Sequence, residues 1–284
     1  MKGKSRILVL GGSGFLGRFI IEDLKANTDL KLICGDIQPP ADPDIEFIHY
    51  DLLDPRSSTL IREGRLDFII NCTGQVSRPS GLCFDLNSIG IKYLAEAIEG
   101  NETRLIHISS VAVYGSYSHN IKVNERQNPE SVYGACKAFA EWQLNERVDK
   151  NRLIILRFPN LYGGSQPKGI INYLVKSFLN DESLTFNNDG SMIRNYLNIE
   201  DAASVFHQII DDFTPGTFNL FSNDQYTIKQ LISLCEKISG KHLPAIFTQD
   251  KPWENIAGFD RTEEQHYQFS FKENLEDYLK SQLK

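Results

Sequence analysis

The sequence predicts an α/β protein, with a doubly wound parallel sheet followed by a smaller C-terminal mixed α/β domain. Short apolar runs at Ile7 to Leu10, Leu30 to Cys34, Ile45 to His49, Phe68 to Cys72, Leu105 to Ile108 and Leu153 to Leu156 have the form of strands buried on both faces. Between them, Phe15 to Lys25, Phe84 to Ile98 and Tyr133 to Val148 carry apolar residues at three- and four-residue steps, the period of a helix with one buried stripe. Strict alternation of the two patterns is the signature of a parallel sheet covered by helices on both sides.

The first strand runs directly into Gly11, Gly14 and Gly17, a GxxGxxG pattern that opens the first helix. In a Rossmann-type fold the first glycine permits the tight turn and the second lets the backbone approach a pyrophosphate. The third lets the helix pack against the sheet with its N-terminus facing the phosphates. A glycine turn without a ligand is the alternative, and position at the first strand favours dinucleotide binding. Asp36 ends the second strand, where a carboxylate accepts from adenosine ribose hydroxyls and repels a 2′-phosphate, so NAD is expected over NADP. Arg18 keeps NADP as the lesser alternative. After the third strand, Asp51 with Leu52 beside it is placed to face the adenine; helix capping ahead of Pro55 is the competing role for Asp51.

The fifth strand ends in the hydroxyl pair Ser109 and Ser110, at the carboxyl edge where open sheets bind ligands. Tyr133 and Lys137 follow as a YxxxK on a helix, so phenol and ammonium share a face. The ammonium favours the phenolate, making Tyr133 a proton shuttle, while a serine hydroxyl orients the reacting oxygen. A surface Tyr/Lys pair is the bland alternative. Beyond Gly163 the rhythm changes to helices at 169–180, 200–211 and 227–239, with short strands at 184–186, 193–198 and 216–220. Residues 1–163 are therefore expected to form the dinucleotide-binding domain and 164–284 the smaller substrate-binding portion, with the chain free to cross back between them. The polar, aromatic segment 251–268 is left without an assignment.

Composition narrows the partners. The net charge of −7, with scattered Lys and Arg, argues against a nucleic-acid surface. Five cysteines, odd in number and widely spaced, show neither a disulfide framework nor metal-ligand spacing, so no metal is implied. The apolar run after the basic start is too short for a signal peptide or a membrane span, and the cytoplasm is the expected compartment.

The sequence resembles the extended short-chain dehydrogenase/reductase family, in its sugar-nucleotide epimerase, dehydratase and reductase group. The resemblance rests on Gly11/Gly14/Gly17, Asp36, Asn71 to Gly74, Ser109-Ser-Val-Ala-Val-Tyr-Gly115, Tyr133/Lys137, Arg157 to Gly163 and Arg194 to Ala202, nearly the whole chain. It implies Ser110 as the catalytic serine, Tyr133 as acid/base and Lys137 bonding the nicotinamide ribose. It further implies pyrophosphate contacts from the amides of Phe15 and Leu16, a cofactor wall at Thr73 and Gly74, and Asn87 near the site. Asn160 and Arg194 fall on positions that bind the substrate diphosphate, which suits the planar fork of an arginine; ion pairing with Glu200 and Asp201 is the alternative for Arg194.

Dehydratases of this group carry acidic residues just after the catalytic serine or threonine, whereas this chain has Val111 and Ala112, so water elimination is not expected. Epimerisation through a transient keto sugar is preferred, since Asp36 favours a recycled NAD and Thr73 to Ser77 looks like the Ala-Gly-Gln-Val stretch of CDP-tyvelose-type epimerases. A 4-ketoreductase is the alternative that the short C-terminal portion suits, and a non-catalytic NAD(P)-binding regulator is the alternative of another class. The family's four-helix dimer implies a homodimer through Phe84 to Ile98 and Tyr133 to Val148, the latter carrying Phe139, Trp142 and Leu144 in excess of one buried stripe.

Overall fold

A computed structural model describes residues 5–75, 77–164, 166, 168–248, 255–260, 266–267 and 269–284. The first half alternates β1 (Arg6–Leu10), α1 (Phe15–Asn27), β2 (Lys31–Asp36), β3 (Glu46–His49), α2 (Ser58–Glu63), β4 (Phe68–Asn71), α3 (Ser80–Asp85) and α4 (Ile91–Ile98). Next come β5 (Arg104–Ser110), β6 (Tyr117–Ile121), α5 (Val132–Arg147) and β7 (Leu153–Phe158). The remainder is β8 (Asn160–Tyr162), α6 (Ile170–Asn180), β9 (Leu184–Phe186), β10 (Ile193–Asn198), α7 (Ile199–Asp211), β11 (Gly216–Asn219), β12 (Gln225–Thr227), α8 (Ile228–Ser239), β13 (Ala245–Phe247), β14 (Ile256–Phe259) and α9 (Leu275–Leu283).

The main sheet has seven parallel strands in the order β11-β7-β5-β4-β1-β2-β3. Strand order reverses between β1 and β4, and the crevice outside their carboxyl ends is where such sheets take ligands. The strands read as continuous apolar runs because both faces are buried: every residue of β7 is buried, and Ile7 to Leu10 are at most 1% exposed. On one face, α1 and α7 pack Ile20, Leu24, Phe206 and Ile209 onto Ile7, Val9, Ile106 and Leu156. On the other, α4 and α5 pack Leu94, Ile98, Ala140 and Leu144 onto Leu8, Leu10, Leu105 and Ile155.

The division at residue 163 is not where the layers part. The chain crosses back, and β11 closes the free edge of β7 in parallel register from Gly216 opposite Ile154 to Asn219 opposite Arg157. The strand expected in the smaller domain thus belongs to the large sheet, because α7 buries Ile199, Ala202, Phe206 and Ile209 in the large core and delivers the next segment beside β7. The smaller layer is built from α6, α8 and α9 around Leu174, Phe178, Leu231, Cys235 and Leu275.

The helix expected from Phe84 begins at Ser80, with Pro79 as its N-cap, and a π-turn at Leu86–Gly90 joins α3 to α4. Within the segment left unassigned, Ile256–Phe259 forms β14, which pairs in parallel with β6; residues 251–254, 261–265 and 268 lie outside the described residues. Among the described residues no helix is long and apolar enough to cross a membrane.

Candidate active site

A cleft of about 950 Å³ runs along the carboxyl ends of the large sheet and under the smaller layer, at the upper end of the range for ligand sites. At one end the turn after β1 presents Gly11 in a left-handed conformation, φ 74°, which an L side chain rarely adopts. An ideal Cβ on Gly17 would stand 2.1 Å from the Gly11 carbonyl oxygen, so only glycine lets α1 start this close to the strand. The N-cap is Gly14, which offers no side chain to the first-turn amides, and Phe15 and Leu16 line the cleft there.

Asp36 borders the same end; its carboxylate accepts from the Ser13 amide at 3.1 Å and the Gln38 amide at 3.2 Å. Asp51 and Leu52 line the neighbouring wall. Asp51 accepts from the Leu53 amide at 2.9 Å, while capping ahead of Pro55 is done by Asp54, whose carboxylate accepts from the Arg56 amide at 2.9 Å. The competing role weighed for Asp51 therefore belongs to its neighbour.

Thr73 and Gly74 form the middle of the cleft floor. Asn71, buried at the end of β4, holds this loop by accepting through Oδ1 from the Thr73 amide at 3.1 Å and the Thr73 hydroxyl at 2.6 Å. That orientation turns the Asn71 Nδ2 toward His107 Nδ1, 3.1 Å away, so the ring accepts through Nδ1 and carries its proton on Nε2. Burial, reinforced by the Lys137 charge, holds the His107 pKa well below the ordinary value and keeps the ring neutral. Asn87 lies under the loop, 1% exposed, its Nδ2 donating to the Gly74 carbonyl at 3.0 Å and the Cys83 carbonyl at 2.9 Å.

At the other end α5 enters with Ser131 as N-cap, its Oγ accepting from the Gly134 amide at 3.0 Å. Tyr133 opens onto the cleft and donates to Gln75 Oε1 at 2.5 Å. Ser110 ends β5 on the same cleft; its Oγ accepts from the Ala112 amide at 3.2 Å, which leaves its O–H free in direction. One turn along α5, Lys137 is fully buried and donates to the carbonyls of Ile108 at 3.0 Å and Thr73 at 3.3 Å. Asn160 and Arg194 border the opposite wall, on β8 and β10. Asp201, weighed as an ion partner for Arg194, accepts instead from the amides of Lys272 and Glu273.

Burial pushes the Lys137 pKa down to about 7, against the pull of nearby Cys83, Cys72 and Glu141. Because the folded value lies below the unfolded one, the unfolded chain binds more protons between about pH 7 and 10, and stability rises with pH across that window. The ligand-free protein is expected to gain stability on the order of a few kcal/mol from pH 7 to pH 9.5 relative to Lys137→Met. Denaturant unfolding at the two pH values measures it; identical pH dependence in both proteins would refute it.

Sequence reading missed two groups at this site. One is Gln75, whose loop position carries no periodic signal. The other is the buried set behind α5: Glu141, 2% exposed, accepts from Arg157 Nη2 at 2.7 Å and Nε at 3.0 Å, from the Ser109 hydroxyl at 2.5 Å and from Gln127 Nε2 at 2.6 Å. Tyr133, Lys137 and Glu141 recur at four-residue steps, so the helical period would have placed Glu141 on the same inward face.

Comparison with known proteins agrees with this architecture. The model of the NAD dependent epimerase/dehydratase family matches residues 7–220. A dTDP-glucose 4,6-dehydratase of Neisseria gonorrhoeae is 26% identical over 300 aligned positions, covering 88% of this chain and 86% of its own. A UDP-glucose 4-epimerase of Azospirillum brasilense is 24% identical, covering 92% of this chain and 86% of its own. The crystal structure of a UDP-glucuronic acid 4-epimerase from Bacillus cereus, in complex with UDP-glucuronic acid and NAD, superposes with a TM-score of 0.85 over 98% of both chains at 24% identity. With the family match running from the first strand of the large sheet to just past the last, this chain belongs to the NAD dependent epimerase/dehydratase family.

Proposed function

We propose that the protein is an NAD-dependent epimerase acting on a nucleotide-activated sugar through a transient keto sugar. The observation that carries the reading is the convergence of Tyr133 and Ser110 on one cleft whose far end is the Gly11–Gly17 turn, with buried Lys137 one helical turn behind the phenol. The glycine turn and the amides of Phe15 and Leu16 would hold the pyrophosphate, Asp36 the adenosine ribose, and Asp51 and Leu52 the adenine. Thr73 and Gly74 would line the cofactor, and Lys137 would bond the nicotinamide ribose. The fit is supported by Gly17, where a side chain would fill the cradle, and by Asp36, whose charge at the end of β2 disfavours the 2′-phosphate of NADP.

Bound NAD supplies a reversible hydride acceptor for one sugar carbon. Tyr133 Oη takes the proton of the hydroxyl on that carbon and returns it after the keto sugar has turned over. Ser110 donates to the reacting oxygen, and Arg194 and Asn160 hold the diphosphate, the arginine by a planar fork matched to phosphate oxygens. Dehydration is disfavoured even beside a dehydratase relative, because Val111 and Ala112 offer no group to move a proton. On this reading residues 1–163 hold the cofactor, helped by α7 and β11, and the rest of 164–284 holds the substrate. The cytoplasmic setting is supported by five buried, unpaired cysteines.

The test is to purify the protein, identify any retained dinucleotide by absorbance and mass, and offer a panel of UDP-, dTDP-, CDP- and GDP-sugars. An isomerised sugar with no net loss of cofactor supports the epimerase; stoichiometric consumption of NAD(P)H with a keto sugar points to the reductase instead.

The same reading includes a homodimer through α3–α4 and α5. Phe139 and Trp142 stack at 5.6 Å on α5, 41% and 58% exposed, and α3 and the π-turn after it, both packed against α5, expose Leu82, Phe84 and Ile89. Leu144, expected to join them, is instead wholly in the core. Trp142→Glu is expected to turn a dimer into a monomer at micromolar concentration, read by light scattering. A wild-type protein that is monomeric across that range would refute the dimer.

A further inference from the structure

We propose that Gln75 is a positioning residue for Tyr133, holding the phenol's proton while the keto sugar turns over. The inference rests on the epimerase reading of the cleft and deepens it. Gln75 stands in the loop after β4, on the cleft wall, and touches two parts of the site at once. Its Nε2 donates to the Ile108 carbonyl at 3.1 Å, and its Oε1 accepts from the Tyr133 hydroxyl at 2.5 Å. The Ile108 carbonyl can only accept, so the amide cannot turn over without losing that bond, and the oxygen is committed to the phenol. Lys137 donates to the same carbonyl at 3.0 Å, so ammonium and amide are registered on one backbone oxygen at the end of β5.

This arrangement answers a difficulty in the chemistry. Once Tyr133 has taken the sugar's proton, the sugar oxygen must leave the phenol for the ring to present its other face. The phenol O–H then needs a fixed acceptor so that its proton is kept in place, and Gln75 Oε1 already accepts from it at 2.5 Å. Gln75 Oε1 supplies the acceptor without competing for the proton, because a neutral amide does not take it. Among the described residues the other charged or titratable groups along the cleft are Lys137 behind the phenol, Cys72 at the loop, Lys168 and Arg194 on the substrate side, and Tyr50, Asp36 and Asp51 at the adenosine end. Lys137 favours the phenolate while it carries its proton, whereas Gln75 favours the neutral phenol and offsets it.

The test compares Gln75→Met, which keeps the size and removes the acceptor, with Gln75→Glu, which places a carboxylate there. Tyrosinate absorbance of the ligand-free protein is followed against pH, with Tyr133→Phe subtracted to isolate one phenol. Gln75→Met is expected to lower the apparent pKa of Tyr133 by about half to one pH unit, and Gln75→Glu to raise it by about one. With substrate, Gln75→Met is expected to lower kcat about tenfold and leave KM within about twofold. If the Tyr133 signal is resolved but neither variant moves it, or kcat stays within twofold of wild type, the role of Gln75 is overturned and the epimerase reading stands. If Tyr133→Phe retains full turnover, the epimerase reading fails and this inference with it. Circular dichroism and retained dinucleotide confirm that both variants fold, and Gln75→Asn, too short to span Ile108 and Tyr133, is expected to behave as Gln75→Met.

Discussion

Tyr133→Phe is expected to lower turnover by about two to four orders of magnitude while dinucleotide binding is retained. The substitution removes one oxygen, at the cleft end where Ser110 also faces the lumen, and leaves the ring and its helix in place. No other phenol among the described residues shares the position: Tyr50 lines the cleft beside Asp51 and is 4% exposed, Tyr114 is fully buried with its hydroxyl donating to Asn219 at 2.8 Å, and Tyr162 lies in the core of the smaller layer. The glycine turn and Asp36 are untouched, so cofactor affinity should change little. Steady-state rates with the substrate found by the panel, set beside the amount of dinucleotide retained, measure both halves of the expectation. Turnover within tenfold of wild type would remove the phenol from the mechanism.

Glu141→Ala is expected to cost about 3–5 kcal/mol of folding stability. Burial works against the Arg157 cation, and the hydrogen bonds and charge of Glu141 more than offset it, so the Arg157 pKa lies above its ordinary value. Truncating Glu141 strands that cation at 6% exposure and leaves the Ser109 hydroxyl and the Gln127 amide without their acceptor. Arg157 Nη1 also donates to the Tyr114 hydroxyl at 2.5 Å and to the Val123 carbonyl at 2.8 Å, so the damage spreads from α5 into the loop after β6. Replacing both partners, Glu141→Met with Arg157→Met, is expected to recover much of the loss, since no charge is then left unpaired. Urea unfolding of the two proteins provides the comparison; a single variant within about 1 kcal/mol of wild type would show that the pair contributes little.

The pair also bears on the site. Glu141 is one turn beyond Lys137, and its partners Ser109 and Arg157 sit in register on β5 and β7. The ion pair therefore fixes α5 against the strand that ends in Ser110, and a shift of the helix would move the phenol relative to the serine hydroxyl. Glu141→Gln, which keeps the hydrogen-bonding shape without the charge, should separate lost stability from lost alignment.

Much of the site was written locally. Gly11, Gly14 and Gly17 announce a strand-to-helix turn because backbone geometry there excludes side chains, and Tyr133 and Lys137 announce one helix face because four residues make a turn. Asp36, Asp51 and Ser110 could be placed at strand ends for the same reason: apolar runs stop where the sheet meets solvent. Periodicity therefore determined the parallel sheet, the cofactor end of the cleft and the helix that carries the phenol.

Only the tertiary structure decided which distant segments meet. Gln75 reaches Tyr133 across 58 residues, Arg157 finds Glu141 from the neighbouring strand, and β14 pairs with β6 from near the far end of the chain. The same holds for β11, a strand legible in isolation whose place beside β7 depended on α7 burying its apolar face in the large core. Such contacts are chosen by which surfaces lose water and which buried polar groups find partners once loops have closed. Those quantities belong to the assembled core and leave no period in the sequence.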